Sequence, residues 1–71
     1  MSWYQVFVLD AEGCTLCNTE ESNLRLAKNS AREKLVERDL IDAGAHKVEV
    51  RNEEGVCLYD KFYPVKVEHV R

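Results

Sequence analysis

The sequence predicts an α+β fold, two β-hairpins flanking one helix (ββαββ), with the strands in an antiparallel sheet and the helix packed on one of its faces. Three observations carry that prediction. Short stretches of β-branched and aromatic residues lie toward both ends of the chain, and each is interrupted by a turn sequence, Asp10-Ala11-Glu12-Gly13 or Asn52-Glu53-Glu54-Gly55. Between them runs a long charged segment with apolar residues at helical spacing.

Trp3 to Leu9 is β-branched and aromatic on both faces, as in a central strand. In Asp10-Ala11-Glu12-Gly13 the first-position Asp and fourth-position Gly suit a type I turn whose Gly is left-handed beside a bulge, and Cys14 to Cys17 forms a short returning strand. The helix is expected over Asn18 to Arg38. Asn18 and Glu21 have capping-box spacing, and Glu20 and Glu21 suit the positive end of the helix dipole. Leu24, Ala27, Ala31 and Leu35 share one helix face, and the two alanines permit close approach to a sheet. Leu40 falls off that stripe, which predicts a kink or restart near Asp39 and termination at Gly44. On an unbroken helix, Leu26, Val36 and Leu40 would instead form a second stripe.

His46 to Arg51 alternates, with Val48 and Val50 on one side and Lys47, Glu49 and Arg51 on the other. Asn52 to Gly55 turns the chain and Val56 to Phe62 returns it, with Val50 expected opposite Leu58 and Glu49 opposite Tyr59. Pro64 ends the ladder or marks an edge, and Val65 to Val70 alternates as a fifth, edge strand or a tail.

A shift of forty-two residues lays Val8 to Leu16 over Val50 to Leu58, matching Val with Val, Glu-Gly with Glu-Gly, Leu with Leu and Asp10 with Asn52. One turn chemistry used twice is the simpler reading, and a duplication the other. The echo assigns faces. Tyr4, Val6, Val8, Cys14, Leu16, Val48, Val50, Val56 and Leu58 face the helix, and Trp3, Phe7 and Leu9 face outward beside Tyr59, Lys47, Arg51 and Lys61.

The order of elements, an aromatic-led strand, Asp-x-Glu-Gly, a helix, then Val48-Glu49-Val50-Arg51-Asn52-Glu53-Glu54-Gly55, resembles small uncharacterised bacterial proteins with a strand-helix-hairpin plan. That resemblance implies a fold and carries no activity.

At 71 residues the chain is a single small domain, 1–71, whose core supplies a net of only ~3–5 kcal/mol. A metal, a disulfide or a partner is a common supplement at this size. Cys14 and Cys17 form a C-x-x-C, and with Cys57 and His46 or His69 they reach the ligand count of a zinc site. Residues three apart on a strand point to opposite faces, however, so the cysteines read as core and filler, with no metal or cofactor expected. A thioredoxin-like reading fails for want of a βαβ context around that pair. Phosphate loops, nucleophile elbows and paired metal-binding histidines do not occur, and no enzyme is expected.

The net charge of −3, with acids and bases interleaved, disfavours nucleic acid as the default partner. The chain start lacks a signal-peptide pattern and no apolar run could span a bilayer, so a cytoplasmic setting with reduced cysteines and no membrane partner is expected. The functional expectation is a non-enzymatic interaction module that dimerises or docks a protein through its outer face, at Trp3, Phe7, Leu9, Tyr59, Lys47, Arg51 and Lys61. The alternative is single-stranded nucleic-acid binding by the same aromatic and basic residues.

Overall fold

The structure, a computed structural model, describes residues 3–64. Its elements follow the order β1 (Tyr4–Asp10), β2 (Thr15–Glu21), α1 (Leu24–Leu35), α2 (Arg38–Asp42), β3 (Ala45–Asn52) and β4 (Cys57–Phe62). The strands form one antiparallel sheet in the order β2-β1-β3-β4, with the helices on one face. The expected strand over 65–70 lies outside the described residues.

The first hairpin runs further than expected. Glu20 and Glu21 pair with Gln5 and Tyr4 as part of β2, so the capping box at Asn18 does not form and no acid occupies the first turn of α1. The helix is capped instead by Asn23, whose Oδ1 accepts the Leu26 amide at 2.9 Å. At its other end α1 closes at Val36, three residues before the expected break at Asp39. The chain restarts as α2 behind Glu37 and ends at Gly44, whose φ of +94° supplies the left-handed terminator. Of the alternative stripe, Leu26 and Val36 are exposed.

Val6, Val8, Val48 and Val50 are fully buried beneath Ala27 and Ala31, and Tyr4, Leu24 and Leu35 pack around them. Tyr63 closes one end of this layer. Its amide donates to the His46 carbonyl at 2.8 Å, extending the ladder past β4, and its hydroxyl donates to the Lys34 carbonyl at 2.7 Å.

The two hairpins repeat each other bond for bond. In the first, Asp10 N donates to Cys14 O at 2.9 Å and Gly13 N to Asp10 O at 3.0 Å, while Asp10 Oδ1 accepts the amides of Glu12 and Cys14. In the second, Asn52 N donates to Val56 O at 3.0 Å and Gly55 N to Asn52 O at 2.9 Å, while Asn52 Oδ1 accepts the amides of Glu54 and Val56. Gly13 and Gly55 have φ of +86° and +84°. The likeness extends beyond the turns to a bulge. Val8 pairs with Cys17 and Leu9 with Thr15, leaving Leu16 as the extra residue; Val50 pairs with Tyr59 and Arg51 with Cys57, leaving Leu58 as the extra residue.

Between the hairpins, Val6 pairs with Val50 and Val8 with Val48, on either side of Phe7 opposite Glu49. Advancing by forty-two residues converts each of these pairs into another member of the same ladder, so the hairpins are related by a local two-fold axis through the Phe7–Glu49 pair.

Each bulge corrects the expected faces. The extra residue shifts the returning strand by one, and a shift of one exchanges its faces. Cys17 and Tyr59 therefore take the positions against the core, while Leu16 and Leu58, expected to face the helix, are exposed. Val50 faces Tyr59 rather than Leu58, and Glu49 faces Asp60 rather than Tyr59. Cys14 and Val56, also expected to face the helix, are exposed.

Candidate functional site

Alternation along β1 turns Gln5, Phe7 and Leu9 away from the helices, and Trp3 continues that outward row. Along β3 the same face receives Lys47, Glu49 and Arg51, and along β4 Asp60 and Phe62, which pair with Glu49 and Lys47. Five expected site residues therefore share the outer face: Trp3, Phe7, Leu9, Lys47 and Arg51. Two do not. Tyr59 packs against the core beneath the Lys28 ammonium, 5.6 Å from its ring centroid, and Lys61 pairs with fully buried Val48, which places it on the helix side. The β4 bulge removes both from the expected set.

Glu49 organises the middle of the outer face. Its Oε2 lies 2.8 Å from Lys47 Nζ, and its Oε1 accepts from Arg51 Nε at 2.9 Å and Nη2 at 2.6 Å. Residues two apart on a strand point the same way, so three successive outward positions of β3 build this triad without help from another element. The Lys47 hydrogen bond, opposed by burial and reinforced by Arg51, holds the Glu49 carboxyl below its ordinary 4.5, and the same contact with Glu49 raises Lys47. Both cations also cover aromatic rings: Arg51 Cζ is 4.6 Å from the Phe7 centroid and Lys47 Nζ is 5.4 Å from that of Phe62. Phe62 in turn meets His46 edge-on at 5.2 Å.

The middle of this face is thus a ladder of charge and ring contacts from Phe7 to His46, with Phe7 half-buried and Leu9 and Glu49 buried. Exposed apolar surface lies around it, at Trp3, Leu58 and Phe62, which are 40%, 43% and 58% exposed.

At one end of the sheet, Trp3, Tyr4, Asn52, Glu53, Glu54 and Leu58 line a groove of about 160 Å³. Pairing of Tyr4 with Asn52 brings the aromatic start of β1 against the second turn. Pockets for drug-sized ligands hold ~300–1,000 Å³, so this groove suits the end of one side chain rather than a whole metabolite.

Glu49, Leu58 and Phe62 were missing from the expected site. The Lys47-x-Glu49-x-Arg51 alternation signals the triad, whereas Leu58 and Phe62 follow only from the bulge. Cys14 and Cys57 are exposed and Cys17 is half-buried on the core side. Among the described residues no three His, Cys, Asp or Glu side chains group as a metal shell, and His69 lies outside them. No helix among them is long and apolar enough to cross a membrane. The chain matches no protein-family model, no curated protein and no solved structure.

Proposed function

We propose that this protein is a small non-enzymatic interaction module, working in the cytoplasm, that docks a protein partner, a second copy included, through the outer face of its sheet. The observation that carries this reading is the exposure of Trp3, Leu58 and Phe62 around a centre already closed by the Glu49 triad. Exposed aromatic and aliphatic anchors beside a preorganised surface are what protein interfaces use, because a rigid centre loses little entropy when it is covered.

Nucleic acid is the weaker reading. Lys47 and Arg51, the two cations of this face among the described residues, are both engaged by Glu49, and Asp60 and Glu20 add negative charge nearby. Stacking of bases on Phe7 would require displacing Arg51 from its ring.

Sedimentation over a wide concentration range, combined with capture of binding proteins by wild-type and Trp3→Ala/Leu58→Asn bait, tests the proposal. Self-association or selective capture that the double variant loses is the expected result. A chain that stays monomeric and whose captured set is unchanged by the double substitution overturns it.

A further inference from the structure

We infer that the groove at Trp3 and Tyr4 is a receptor for a cationic side chain, the guanidinium or ammonium of an arginine or lysine presented by the docked protein. This rests on the interaction reading above and names what one part of the partner must carry.

The composition of the groove favours a cation. Trp3 and Leu58, on the outer face, bring an indole and an aliphatic side chain to it, and Glu53 and Glu54 two carboxylates, while Tyr4 turns its side chain toward the core. Aromatic faces together with carboxylates attract a cation by two additive means, the ring quadrupole and direct charge. Among the described residues no cation forms a salt bridge with Glu53 or Glu54, in contrast to Glu49, which holds two. The Asn52 side-chain oxygen is already engaged by the Glu54 and Val56 amides, so it fixes the turn that carries the two acids. The volume of about 160 Å³ admits the end of one long side chain.

The local two-fold axis offers a comparison of the two ends by sequence position. Applied to the groove, it leads to Asp10, Ala11, Glu12 and Leu16 with Ala45 and His46 in place of Trp3 and Tyr4. The turn hydrogen bonds and the hairpin bulge are the same at both ends, so neither calls for an aromatic residue here, but the β1–β3 ladder bulges at the other end only, where Asp10 pairs with Ala45 rather than His46. Two carboxylates at the tip, where the other turn has Ala11 and Glu12, are likewise not demanded by the turn. Beyond that bulge, the groove end differs in carrying Trp3 and a second tip carboxylate, and each of these adds an element of cation recognition.

The test uses the full chain labelled with nitrogen-15 and titrated with N-acetyl-arginine amide, N-acetyl-lysine amide and, as the neutral isostere, N-acetyl-citrulline amide. The expected result is a saturable shift of the Trp3 indole N–H and the Glu53 and Glu54 amides with either cation, at roughly millimolar affinity, and no such shift with citrulline. Trp3→Ala, and separately Glu53→Gln/Glu54→Gln, should each weaken binding about tenfold while the dispersion of the spectrum shows the fold intact. Equal response to citrulline, or no saturable shift, overturns the inference. If the cations fail while Trp3→Ala/Leu58→Asn still abolishes capture or self-association, the interaction module stands and only the cation receptor falls. Should the cations bind while that double variant changes neither capture nor self-association, the receptor stands and the docking face is wrong.

Discussion

The two hairpins share a backbone plan and differ at the edge of it. Asp10 and Asn52 accept the same pair of amides, Gly13 and Gly55 have φ within 2° of each other, and Leu16 and Leu58 occupy the same bulge. The two halves diverge at Ala45 and His46 against Trp3 and Tyr4, where a bulge sets Asp10 opposite Ala45, and at the axis itself, where Phe7 opposes Glu49. What a turn or a bulge requires is held in common; what only a surface would use is not.

The strongest test of that equivalence lies in the core. Val8→Ala and Val50→Ala occupy equivalent buried positions, and each should cost ~2–3 kcal/mol in urea unfolding, the lost methyl burial plus a small cavity. Unequal losses would show that the helices lean on one hairpin more than the other. Next come Gly13→Ala and Gly55→Ala. Both turns leave open space where a Cβ would stand, so the cost is purely that of a left-handed backbone, about 1–2 kcal/mol, and should be the same at both.

Glu49→Gln breaks the comparison at its axis. Loss of the charged hydrogen bonds should destabilise by about 1–2 kcal/mol, a moderate figure because Lys47 and Arg51 keep partial access to water. The folded carboxyl titrates below its ordinary 4.5, so its contribution is complete above about 4.5 and is lost as pH falls through the lower folded value. Thermal unfolding followed from neutral to acid pH should therefore show an acid limb that Glu49→Gln flattens. The smallest effect on stability is expected from Trp3→Ala, under about 1 kcal/mol, because this residue is 40% exposed at the end of β1.

Much of the fold was legible in the residues. Asp10-Ala11-Glu12-Gly13 and Asn52-Glu53-Glu54-Gly55 dictate their turns because an Asx oxygen and a left-handed Gly are chemical requirements, and the Leu24, Ala27, Ala31, Leu35 stripe identifies the helix face. The helix start was misplaced because Asn18 offers the same capping chemistry as Asn23. Only pairing of Glu20 and Glu21 with β1 decides between them, and Asn23, directly before Leu24, was the better signal. The bulges at Leu16 and Leu58 lack a side-chain signature, so the faces of β2 and β4 came out inverted. Tyr59 and Lys61 thereby entered the candidate site, and Leu58 and Phe62 were left out of it. The outer-face residues of β1 and β3 were legible from alternation, but their mutual shielding depends on where long side chains settle.

The mismatch at the axis bears on how chains avoid mispairing. Because β1 and β3 occupy equivalent places, two copies of the same hairpin, from two molecules, could in principle pair about the same axis. Pairing two β3 strands in the native register would set Glu49 against Glu49, with two carboxylates contesting the same face. Two β1 strands would set Phe7 against Phe7 and leave both rings without the Arg51 guanidinium that covers one of them in the native chain. Only the mixed pair brings ring, guanidinium and carboxylate together, so Phe7 opposite Glu49 selects each hairpin for the unlike hairpin and disfavours pairing of like with like.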